Sequence, residues 1–155
     1  MKRLHGAAML AAAAMFTASM GITGMADTSG AGENGSRLDG MVCMDGSVIS
    51  AAEGYKPSSE MKMHFRCYAE REDVKAVVHA HPPIATSYAS MGRALDGYQV
   101  MEFIVNLGAV PIAPYAQPST DEVPDSIAPF LQDHDAILLA HHGALTVGDS
   151  LTRAY

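Results

Sequence analysis

Tryptophan is absent, cysteine occurs twice, and aromatic residues make up only 6% of the 155 positions. Cys43 and Cys67 are too sparse for a disulfide framework. Neither belongs to a CxxC pair, which speaks against zinc held by thiolates, and Cys67 is expected to pack in a helix as a small hydrophobe. Basic residues are scarce: 10 Lys and Arg stand against 17 Asp and Glu, for a net charge of -7. That balance argues against a broad nucleic-acid or anionic-membrane footprint. A convincing membrane span is also missing, because the one long Ala/Met-rich run, residues 6–22, is short and carries Thr17 and Ser19. With 48% hydrophobic and 17% charged residues, the composition is that of one ordinary globular domain.

The first 40 residues admit two readings. Lys2 and Arg3, the apolar run and Gly24-Met25-Ala26 have the outline of an export signal. The same run also reads as an Ala-rich first helix. Residues 23–40 are rich in Gly, Ser, Asp and Asn and read as loop. From there a hairpin is expected over 41–50 around Asp45-Gly46. A helix opens at Pro57-Ser58-Ser59-Glu60, with Ser58 or Ser59 as N-cap, Glu60 in the first turn, and Met61, Phe65, Tyr68 and Ala69 as its buried face. Lys75–His81 reads as a strand stopped by Pro82-Pro83, and Ile84–Met91 as a short helix ended by Gly92. Residues 100–113 hold apolar stretches broken at Gly108, with a strand over Val110–Tyr115. A helix then runs from Ser119 to about Gln132. Asp135–His141 is a central strand, Gly143–Val147 a turn and strand, and a last helix starts at Gly148-Asp149. Alternating strands and helices of this kind make a layered α/β sheet.

Seven histidines are a richer source of metal ligands than the cysteines. His79 and His81 lie two apart on a strand, on the same face, with backbones roughly 7 Å apart. Their imidazoles can converge on one ion at about 2.0–2.1 Å from each nitrogen. A third ligand has to come from another segment. His141 and His142 end the second apolar strand, and neighbours on a strand face opposite sides, so one of the two is available. Three nitrogens leave a coordination position open, the layout of a catalytic metal. His64, one turn after Glu60, can support it but reads more simply as a helix-surface or packing residue.

With KPSSEMKMH (56–64), VVHAHPP (77–83), LGAVPIAPYA (107–116) and LLAHHGALTVGDSLTRAY (138–155) set out in this order and spacing, the chain resembles the class II aldolase/adducin family, and in particular its sugar-phosphate aldolases. The resemblance covers residues 41–155. It implies a three-layer α/β/α domain around a central mixed or antiparallel sheet, incomplete at both ends. Only residues 33–38 faintly match a family strand that precedes the PSSE motif, and the family's C-terminal helices have no counterpart after Tyr155. It further implies that His79, His81 and His142 are the metal ligands, with His141 structural. Glu60 is then the catalytic acid/base, and Ser58 and Ser59 bind the substrate phosphate. The family's proton-donating tyrosine has no clear match, since Tyr98 is out of register.

The cation implied is Zn2+, or alternatively Mn2+. The reaction is cleavage of a ketose phosphate to dihydroxyacetone phosphate and a small aldehyde. Sugar-phosphate 4-epimerisation or dehydration, or a non-catalytic adducin-like interaction module, are the alternatives. A phosphorylated sugar as substrate, a homotetramer, no nucleic-acid or membrane partner, and a cytoplasmic location complete the expectation; an exported protein follows instead if residues 1–26 are a signal.

Overall fold

A computed structural model describes residues 13–14, 40–51, 58–97 and 101–155. The readings of the export signal or first helix and of residues 33–38 lie almost wholly outside these residues, as does Tyr98. The exception is β1 (Ala13–Ala14), which pairs antiparallel with β2 (Gly40–Val42). β2 turns through Asp45-Gly46 into β3 (Val48–Ala51), the expected hairpin. Gly46 takes a φ of 84°, and the Asp45 carboxylate accepts hydrogen bonds from the backbone N–H and hydroxyl of Ser47.

The remaining elements are α1 (Met61–Glu70), β4 (Ala76–Ala80), α2 (Pro83–Ser90), α3 (Met101–Asn106), β5 (Ile112–Ala113), α4 (Glu122–Leu131), β6 (Ala136–Leu139), β7 (Gly143–Gly148) and α5 (Leu151–Ala154). Their four strands form one sheet in the order β4-β7-β6-β5, antiparallel except for the β6/β5 pair. The sheet is therefore mixed. α4 provides the crossover that a parallel neighbour requires.

Strand periodicity sorts the core into two faces. Val77, Ile137, Leu139, Leu145 and Val147 point to one side, where they pack with Met63 and Cys67 of α1 and Val123, Ile127 and Leu131 of α4. Ala136, Leu138 and Ala144 point to the other, where they meet Ala85, Tyr88 and Ala89 of α2 and Phe103 of α3. Ala76 and Val78 share that side and pack with Ala154 of α5. Helices on both faces of one sheet make the expected three-layer α/β/α arrangement.

Two local readings need correction. α1 buries Met63, His64 and Cys67 and leaves Ala69 exposed; Met61, Phe65 and Tyr68 are only half-buried. The inward stripe thus runs through positions 60, 63, 64 and 67, and counting only large apolar residues displaced it. Residues 101–106, read as an apolar stretch, form α3. It ends where Gly108 (φ 68°) donates to the carbonyls of Phe103 and Ile104.

Leu145 lies at the centre of the sheet and is fully buried. Leu145→Ala is expected to destabilise the fold by about 2–5 kcal/mol in equilibrium urea unfolding. A loss below about 1 kcal/mol would mean that β7 is not the middle of the core.

Candidate metal centre

The pairing of β4 with β7 sets Ala80 opposite Ala144 and His79 opposite Leu145. Continued by one residue, the same register places His81 beside Gly143, next to His142. The three imidazoles meet there. Their ligand atoms all lie within 4.8 Å of one another, and their ring centroids are 4.8–5.0 Å apart. His79 Nε2 and His81 Nε2 are 3.2 Å apart. Two nitrogens bound tetrahedrally to one ion at about 2.0–2.1 Å are themselves separated by about 3.3 Å, so this pair is already at ligand spacing.

The environment selects the tautomer. His79 Nδ1 is 2.9 Å from the carbonyl of Ala144. A carbonyl only accepts, so Nδ1 carries the proton and Nε2 keeps its lone pair toward the other rings. Burial, and then the neighbouring His142 charge, push the His79 pKa down to about 4, which keeps the ring neutral. The His142 pKa is also lowered, by burial first, against the raising influence of Glu60. Neutral imidazole is the form a cation binds, so the residues fit a divalent metal.

Close packing holds the cluster. A Cβ on Gly143 would stand 2.3 Å from His81 Cδ2 and 2.8 Å from the Ala80 carbonyl oxygen. Glycine at 143 is what lets His81 lie against the start of β7.

His141 and His142 are not on a strand, as the sequence reading had them. They sit in the three-residue turn between β6 and β7. His141 has a φ of 57°, a left-handed conformation that Asn, Asp and His adopt more readily than other side chains. Its N–H donates to the Ala89 carbonyl at the end of α2 (3.0 Å), and the His142 N–H donates to Leu139 (3.0 Å). The exposed His141 ring stands near Tyr115, while His142 joins the cluster.

Glu60 is half-buried and occupies the N-cap of α1 rather than its first turn. It is not part of the three-histidine group, but its charge reaches His142. Ser58 Oγ accepts the Glu60 N–H at 3.2 Å, and Ser59 is exposed in the same turn. Of the two expected roles of His64, helix surface or packing, the structure has the buried one. It is buried and close enough to His79 for its charge to depress that ring's pKa. Its spacing of four from Glu60 was the available signal.

Over residues 26–155 the sequence matches the family described as Class II Aldolase and Adducin N-terminal domain, and the chain belongs to that family. A 5-methylthioribulose-1-phosphate/5-deoxyribulose-1-phosphate aldolase of Rhodospirillum rubrum is 37% identical over 99 residues, 64% of this chain and 45% of that protein. A 3-oxo-tetronate 4-phosphate decarboxylase of Escherichia coli is 33% identical over 118 residues, 73% of this chain and 54% of that protein. Among solved structures, an L-fuculose 1-phosphate aldolase superposes with a TM-score of 0.66 at 31% identity, covering 74% of this chain and 53% of that one. The chain thus spans about half the length of the curated relatives it matches.

Two outcomes follow from the packing. Gly143→Ala should cost about 1–3 kcal/mol in urea unfolding, because the Ala80 carbonyl cannot yield as a flexible side chain would; a neutral result would contradict the close approach. His64 and His79 are held at a pKa of about 4, below the ordinary 6.5. Between those values the unfolded chain takes up protons that the folded chain refuses. The metal-free fold should therefore lose up to ~3 kcal/mol per group as pH falls from 6.5 toward 4. Urea midpoints that stay flat across that window would contradict the buried, neutral placement.

Proposed function

We propose that this chain carries the catalytic part of a metal-dependent aldolase acting on a ketose phosphate, with His79, His81 and His142 as ligands to one divalent cation, zinc before manganese. The observation that carries this reading is the pair of Nε2 atoms at 3.2 Å with a third imidazole beside them. A cation held there supplies Lewis-acid polarisation of a substrate carbonyl.

The chain's own residues divide the remaining work. Glu60, beside His142 and outside the ligand group, moves the proton at the carbon next to the carbonyl. Ser58 and Ser59 bind the phosphate with hydroxyls and backbone N–H groups at the start of α1. That grip fixes the reacting carbons relative to Glu60. The products are dihydroxyacetone phosphate and a small aldehyde. Support comes from the family membership and from relatives named as aldolases for sugar phosphates.

A second reading is favoured by the similarity to a 3-oxo-tetronate 4-phosphate decarboxylase: the same carbonyl polarisation serves loss of carbon dioxide. Exposed apolar side chains on and beside α2 and α3 (Ile84, Met91, Met101, Val105) support association of copies into the proposed homotetramer. Among the described residues, no helix is long and apolar enough to cross a membrane. The cytoplasm is the proposed location, and a mature N-terminus at Asp27 would overturn it.

Product analysis on ketose 1-phosphates tests the reaction. The expected result is release of triose phosphate, lost at least 100-fold in Glu60→Gln. A product that keeps its full carbon skeleton would assign epimerisation or dehydration, release of carbon dioxide from a 3-oxo acid phosphate supplied instead would assign decarboxylation, and unchanged turnover in Glu60→Gln would remove that residue's role.

A further inference from the structure

α1 buries one side chain for which apolar packing gives no reason. His64 is 5% exposed, between Met63 and Cys67, and its Nδ1 is closed off from solvent without a hydrogen-bond partner. A buried polar atom left alone costs about 1–3 kcal/mol, and native folds keep few of them. A leucine at this position would fill the space without that cost. The imidazole is therefore retained for something other than packing.

Its position says what that is. His64 follows Glu60 by four residues, on the same face of the helix, and helical side chains lean toward the N-terminus. That spacing sets the two side chains on neighbouring turns of one helix face, within reach of each other. On the other side a proton on His64 would oppose one on His79, and the charge of Glu60 reaches His142. His64 and Glu60 thus flank the same cluster from one helix. A carboxylate drawn toward a filled cluster leaves water and needs a donor to replace it. The Ser58 hydroxyl is already engaged as the acceptor of the Glu60 N–H. A neutral imidazole has one N–H to give and adds no positive charge beside the cation. Burial keeps this ring neutral, with its pKa down to about 4.

We propose that His64 is a positioning residue for Glu60: its neutral imidazole donates a hydrogen bond to the Glu60 carboxylate when the three-histidine cluster holds its cation. This rests on the reading that the cluster binds a divalent metal, and it adds a partner that fixes the acid/base.

The test uses proton spectra of the whole chain labelled with 15N-histidine, recorded without zinc and with one equivalent, beside metal analysis of the same samples. Zinc should bring out one exchange-protected imidazole N–H resonance that is missing from His64→Gln. The same resonance should be lost in zinc-loaded Glu60→Ala, which keeps the three histidines. A bound zinc without this resonance, or a resonance that persists in Glu60→Ala, would overturn the role of His64 alone. Failure of the parent chain to take up zinc would overturn this role together with the metal reading.

Discussion

The antiparallel register between β4 and β7 is the constraint on which the site depends. With Ala80 opposite Ala144, the end of one strand and the beginning of the other bring residues more than 60 positions apart into one cluster. A slip of one residue would turn His79 to the opposite face of the sheet and part it from His142. The register is locked by what lies on either side. Val77, Leu145 and Val147 are buried under α1 and α4, Ala76 and Val78 under α5, and the contact of Gly143 with His81 tolerates no added carbon.

The same packing shapes the electrostatics. His79 shares the face of Val77 and Leu145, so it leaves the apolar layer only at the strand end, where it is partly shielded. Burial keeps its ring uncharged and the Ala144 carbonyl fixes the proton on Nδ1. His81, just past the strand, is exposed. One imidazole therefore belongs to the core and one to the solvent edge, with His142 between them on a turn tied to α2 through the Ala89 carbonyl. At the C-terminal end of α1, Arg71 joins Asp73, Asp135 and the Leu131 carbonyl. It anchors the end of α1 to the end of α4 and the approach to β6, away from the chemistry.

Much of this was legible in the sequence because it rests on short-range rules. The apolar runs ending in His81 and His141, the double proline after His81 and the Asp45-Gly46 turn each identify their element locally. The two-residue spacing of His79 and His81 placed both on one face without any tertiary information. What escaped depended on contacts. α3 holds no fully buried residue, and its glycine stop reads in sequence as a break between apolar stretches. The inward face of α1 includes a histidine and a cysteine, so a count of large hydrophobes rotated it by about one position. The roles of His141 and His142 turn on a left-handed backbone that adjacency on a strand could not supply.

The site exists as a metal centre only if these three rings share one ion. Metal content of the purified chain, measured beside His79→Ala and His142→Ala, addresses this directly. One zinc per parent chain and its loss from both variants is the predicted result, while equal metal in all three, or none in the parent, would contradict it.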